Sequence, residues 1–227
     1  MPPETAHARM SGEDRRKQLI EVAIDLFSEK GFSGTTTKEI AAAAGVTEAI
    51  IFRHFATKQD LYKAILDYKS GLNSATNWRD EVQVYMDAND DAGLFRFLIA
   101  KIIAFDREQP KFARLMTHAA LEGHELAIMH HTQLAMPIGL KLKEYIAKRQ
   151  ASGAIRGTEP GVVMLALAGI GQYYAMQKYV YRYCPMECDD DWMIDALLRV
   201  LADGVIVQKS TPSKSPQRNK RRTRGTK

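Results

Sequence analysis

The chain has 227 residues, 45% hydrophobic and 26% charged, with 8 Pro, 15 Gly and 2 Cys. That is globular composition and excludes a collagen-like, coiled-coil or wholly disordered chain. Two cysteines exclude a disulfide scaffold and suit a reducing cytosol. The net charge of +5 is concentrated at one end: from Lys209 onward there are eight basic residues and no acidic one. Without them the chain carries 24 basic against 27 acidic residues, a net of −3. Any case for nucleic acid must therefore come from the fold of the body. The first residues, MPPETAHARMSGEDRRK, contain no apolar signal core. The uncharged run over Gly161–Gln177 has 17 residues and is short for a membrane span. A soluble cytoplasmic protein is expected.

Apolar spacing is helical almost throughout, and no run of strict alternation marks a strand. The first helix spans roughly Asp14–Lys30, with Leu19, Ile20, Ala23, Ile24 and Phe27 on one face and Gly31 as its stop. Thr36 and Glu39 form a capping box that opens a short helix ending at Gly45. Thr47 caps another from Glu48 to His54, and Thr57 with Asp60 opens a long helix from Lys58 into the seventies. Residues 76–91 read equally as a helical turn or a loop. Further helices follow over 92–108, 111–122, 124–150 with a kink at Pro137, 160–183 and 190–208. The prediction is an all-α chain of about nine helices.

Two short helices joined by Ala44-Gly45-Val46 have the spacing of a helix-turn-helix, in which Gly45 supplies a positive φ. Ile40, Ala43, Val46, Ile51 and Phe55 would form its inner core with Phe27. A step of 100° per residue turns Ala49, Phe52 and Arg53 outward, with Thr47 and Glu48 at the exposed end that enters a major groove. Spacing alone also allows a plain helical hairpin within a bundle.

The stretch Arg15–Leu66 resembles the DNA-binding domain of the TetR family of transcriptional regulators. Its marks stand in order: Ala23 and Phe27, Gly31-Phe32, Thr35-Thr36-Thr37, Ile40-Ala41, Ala44-Gly45-Val46, Phe52, His54-Phe55, Lys58 and Leu61. The resemblance implies DNA contacts from Thr37, Lys38, Thr47, Glu48, Ala49, Phe52, Arg53, His54 and Lys58. Three positions depart from the family's habit. Phe52 stands where Tyr is common, Ala49 keeps a small residue without glycine's freedom, and Glu48 replaces a common Lys. Glu48 reads equally as a helix-terminal acid or as an acceptor for cytosine N4.

The resemblance also implies a division into a DNA-binding domain (12–57), a ligand-binding and dimerisation domain (58–208) and a basic tail (209–227). A homodimer joined through the last two helices would read a palindromic operator in double-stranded DNA, the small residues Ala166–Gly171 allowing close packing. Within the C-terminal helices, residue type points to Phe95, Ile99, Ile102, Phe105, Met116, His118, Met136, Tyr173, Met176 and Gln177 as liners of an effector pocket for a small apolar or aromatic molecule. The implied function is a ligand-responsive regulator, a repressor released by its effector. The alternative is an architectural DNA-binding protein without effector.

No nucleophile–base pair, metal spacing or phosphate loop supports an enzyme, and no cofactor is expected. His124-Glu125 starts like a zinc-protease helix, but Ile128 stands where the second His is needed, so His124, His130 and His131 read as solvated. Asp189–Asp191 reads as the start of a helix, and Cys184 and Cys188 as free thiols. The basic tail reads as a solvated extension, as sequence-independent DNA affinity, or as a contact to RNA or another acidic partner.

Overall fold

The computed structural model describes residues 10–72, 75–157, 159–184 and 186–205. The basic run from Lys209 lies outside them. Among the described residues there are eleven α-helices, two more than the sequence suggests.

Helix α1 (Gly12–Lys30) starts two residues earlier than expected, because the Ser11 hydroxyl accepts the Asp14 N–H at 3.0 Å. Its Leu19, Ile20, Ala23, Ile24 and Phe27 are buried as their spacing requires. Helix α2 (Thr37–Ala43) is opened by the expected reciprocal cap between Thr36 and Glu39. The Lys30 ammonium first, then the Thr36 N–H, hold the Glu39 carboxyl down at about 2. Helix α3 (Glu48–His54) follows the tight turn, and α4 (Lys58–Leu72) is opened by Thr57 and Asp60, each of whose side chains accepts the other's backbone N–H at 3.0 Å.

The ambiguous stretch is helix α5 (Ala75–Ala88), which buries Val82 and Met86. Asn89, at φ 53, ends it. Helices α6 (Asp91–Glu108) and α7 (Pro110–Leu121) agree with expectation within two residues. The expected helix over 124–150 is two helices, α8 (Glu125–His130) and α9 (Met136–Ala151), joined by a π-turn over His131–Ala135. The break precedes Pro137, which sits in the first turn of α9 where its missing N–H costs nothing. Helix α10 (Pro160–Ala175) passes into a second π-turn, Met176–Val180, closed by Tyr181 N–H to Met176 C=O at 2.8 Å. Helix α11 (Asp190–Val205) is the last described element. Asp189 caps it, its carboxylate accepting the Trp192 N–H at 2.6 Å, as the acidic run suggested.

The apolar side chains gather in two cores. The first joins α1–α4 to Phe112, Leu115 and Ala119 of α7 and Leu126 of α8. The second joins α5, α6 and α9–α11. Helix α6 spans the second core and is clamped near both ends by carboxylates. Asp91 accepts the Tyr145 hydroxyl at 2.7 Å and the Arg149 guanidinium at 2.8 and 2.9 Å. At the far end Asp190 accepts Arg107, Lys178, Tyr174 and Tyr179 at 2.6–3.0 Å. Both Cys184 and Cys188 are free and partly buried. No described helix is long and apolar enough to cross a membrane.

Candidate nucleic-acid interface

The turn between α2 and α3 is built by a glycine and two backbone bonds. Gly45 takes φ 65, its N–H reaches Ala42 C=O at 3.2 Å, and the Val46 N–H reaches Ala41 C=O at 2.9 Å. This paired closure satisfies the last carbonyls of α2 and sets the angle at which α3 leaves. The inner core holds Phe27, Ile40, Ile51 and Phe55, with Val46 packed at its edge, as expected. Ala43 does not belong to it: Ala43 is exposed, and Ala41 and Ala44 are buried instead. Residues 41–44 are all alanine, so apolar periodicity cannot set their phase.

With Ile51 wholly buried, α3 turns Glu48, Ala49, Phe52 and Arg53 to solvent, Phe52 at 48% exposure. Thr47 precedes the helix with extended backbone, and its hydroxyl makes no capping bond. The Thr37 hydroxyl donates to the Glu48 carboxylate and so ties the start of α2 to the start of α3. Lys38 is exposed beside it. His54 is half-buried; burial first, then Arg53, Arg16 and Arg15, push its imidazole below the usual histidine range, which favours a neutral ring. Its carbonyl accepts Arg16 at 2.9 Å, and the Arg16 guanidinium lies 4.2 Å from the Phe55 ring centre. Eight of the nine residues expected at DNA thus lie on α2, α3 or the turn before α3, with Glu48, Ala49, Phe52, Arg53, Lys38 and Thr47 open to solvent. The ninth, Lys58, is turned inward. Its ammonium donates to the Phe32 carbonyl and sits 4.0 Å over the Phe32 ring.

The residues expected at an effector are more scattered. Phe95 and Ile99 are buried in the second core, and Ile102 is half-buried where α6 meets Gly171 of α10. Phe105 and Met116 pack on the first core instead, with His118 half-buried on the same helix as Met116. Met176 and Gln177 begin the π-turn after α10. Met136 and Tyr173 stand at the surface of the chain. Two hollows are described, and none of these ten residues lines either. One of about 210 Å³ is lined by Val82, Pro137, Ile138 and Lys141, and one of about 300 Å³ lies between α1, α4 and the α6–α7 junction. Sequence reading missed Asp106, which is 1% exposed on α6 and accepts the Gln172 side chain at 2.7 Å. Burial raises its carboxyl to about 6.

Two histidines expected in solvent are part of the packing. The His124 ring lies 4.6 Å from both Phe32 and Tyr62, and its Nδ1 accepts the Leu126 N–H at 3.2 Å as the cap of α8. His130 packs 5.6 Å from Phe112. Among the described residues no three His, Cys, Asp or Glu side chains come together as metal ligands.

Comparison with known proteins agrees with this geometry. Residues 19–65 match the family model of bacterial regulatory proteins of the TetR family. The nucleoid occlusion factor SlmA of Yersinia pseudotuberculosis is 24% identical over 186 residues, which cover 79% of this chain and 91% of SlmA. The uncharacterised HTH-type transcriptional regulator YvkB of Bacillus subtilis is 41% identical over 71 residues, 31% of this chain and 38% of YvkB. Among solved structures, AibR in complex with isovaleryl coenzyme A and operator DNA has the same fold. Its TM-score is 0.59 at 22% identity, covering 82% of this chain and 97% of AibR.

Proposed function

We propose that this chain, which belongs by residues 19–65 and by its fold to the TetR family of bacterial regulatory proteins, is a homodimeric repressor that leaves its operator when a small apolar or aromatic effector binds. The carrying observation is the surface of α3. Ile51 anchors it in a capped helix-turn-helix while Ala49, Phe52 and Arg53 stand outward with no neighbour to cover them. A helix held in this way reads base edges in a major groove, and two of them about one DNA turn apart read a palindrome. The second copy is accommodated by α10, on which Val162, Leu165, Ala166, Gly169 and Tyr173 form one exposed stripe at helical spacing. Gly171 serves the chain itself: a side-chain carbon there would meet Ile99 at 3.5 Å.

Effector and operator would act through one equilibrium, so DNA must weaken effector binding by the factor that effector weakens DNA binding. A second reading, an effector-independent chromosomal DNA binder, is favoured by the match along 91% of SlmA, whose name makes it a nucleoid occlusion factor. Mapping occupied sites across the chromosome separates the two. One or a few sites upstream of genes support the repressor, and many sites dispersed outside promoters support the second reading.

A further inference from the structure

The α7–α8 corner meets the N-terminal helices at Phe32, among other residues. The Glu122 carboxylate, at the end of α7, accepts the Phe32 N–H at 3.1 Å. On its other side, the Phe32 carbonyl accepts the Lys58 ammonium, which also lies over the Phe32 ring. His124 closes the arrangement by packing on Phe32 and on Tyr62, whose buried hydroxyl has no hydrogen-bond partner. Lys58 is the first residue of α4 and comes four residues after the end of α3. A lysine at the start of that helix would be placed to neutralise a backbone phosphate. Here its charge is engaged with a carbonyl and a ring face.

We propose that Glu122 is a positioning residue that holds Lys58 in this inward arrangement through Phe32, and so sets how many phosphates the protein neutralises. The proposal rests on the DNA-binding reading above. The electrostatics point the same way. Burial lowers the pKa of the Lys58 ammonium, and the Glu122 carboxylate, followed by Glu39, raises it again, so Glu122 favours the charged lysine where it sits. The helix that ends at Glu122 is also tied to the π-turn after α10. Arg114 of that helix donates to the Val180 carbonyl, at the end of the π-turn, at 3.1 Å. A shift of α7 against α1 would withdraw Glu122 and free Lys58, giving the C-terminal helices control over DNA affinity by a single charge.

The test measures binding of the full chain to a mixed-sequence duplex across a potassium chloride series. It compares wild type, Glu122→Ala, Glu122→Gln, Lys58→Met and the Glu122→Ala/Lys58→Met double variant, each first shown by thermal melting to be folded. Glu122→Ala is expected to tighten binding several-fold. It should also steepen the dependence of log K on log salt by about two per dimer, one phosphate contact per subunit. Glu122→Gln keeps an acceptor for the Phe32 N–H and loses only the charge; a smaller gain in the same direction is expected, and it carries the test if the alanine variant does not fold. In the Lys58→Met background the gain should vanish. Wild-type affinity and slope in both Glu122 variants, or a gain that persists without Lys58, would overturn the proposal. Failure of folded wild type to bind any duplex would instead overturn the DNA-binding reading on which it rests.

Discussion

At the level of single residues, an exposed arginine and a buried carboxyl make opposite predictions. Arg53 is exposed on the outward face of α3, next to Ala49 and Phe52. An arginine reading guanine O6 and N7 is worth about 1–3 kcal/mol of discrimination. Arg53→Ala is therefore expected to cost roughly ten- to a hundred-fold in operator affinity, at an unchanged melting temperature, because the side chain supports no packing. Titration of the variant against operator and scrambled duplexes checks this, and equal affinity for wild type and variant would remove Arg53 from the reading surface. Asp106 is the opposite case, a buried carboxyl whose pKa is raised by burial to about 6. The fold favours its protonated form, so the stability it contributes is full below its ordinary value near 3.8 and is lost as pH rises through about 6. Asp106→Asn mimics the protonated form and should raise the melting temperature at pH 7.5, by at most about 3 kcal/mol of stability. The gap between variant and wild type should close below about pH 4. A gap independent of pH would contradict this assignment.

At the scale of elements, the helix-turn-helix was legible because its punctuation is local. Thr36 with Glu39, and Gly45 at φ 65, are signals that depend on three or four neighbouring residues. Ser11 with Asp14 is a signal of the same kind, and it places the start of α1 two residues before the expected one. Gly45 offers a clean test, since no atom lies within 4 Å of where its side chain would begin. Gly45→Ala should cost about 1 kcal/mol from backbone strain alone, seen as a fall of roughly 2–4 °C in melting temperature. A larger fall would mean that the turn is packed against something. The π-turns were not legible. They shift backbone register by one residue within an apolar pattern that reads as continuous helix on both sides. Helix α5 was obscured because Val84 is exposed between the buried Val82 and Met86, which blurs its period. The inward turn of Lys58 depends on Phe32, 26 residues away, and on Glu122 at the end of α7, and no local pattern encodes either.

At the scale of the whole molecule, α6 sets the layout. Its C-terminal end leads through α7 to the first core, while its N-terminal end is bound to α9 through Asp91 and Arg149. Helix α11 starts at Asp190 beside Arg107 and ends where Arg156, in the turn after α9, donates to the Gly204 carbonyl at 3.1 Å. It thus runs from the C-terminal end of α6 toward the turn after α9. The exposed stripe on α10 makes the dimer testable. Leu165, 74% exposed, should become buried between two copies. Leu165→Glu is then expected to give folded monomers in sedimentation, with lost affinity for an inverted repeat. A variant that sediments like wild type would move the interface elsewhere.

Under the function proposed above, this chain binds DNA sequence-specifically through α3. The most direct test is binding of the purified full chain to the duplex upstream of its own gene, against a scrambled duplex of equal length, across a salt series. A clear preference for the upstream duplex is expected, surviving at moderate salt, where non-specific attraction has faded. Equal and steeply salt-dependent binding to both duplexes, or none from a folded protein, would contradict it.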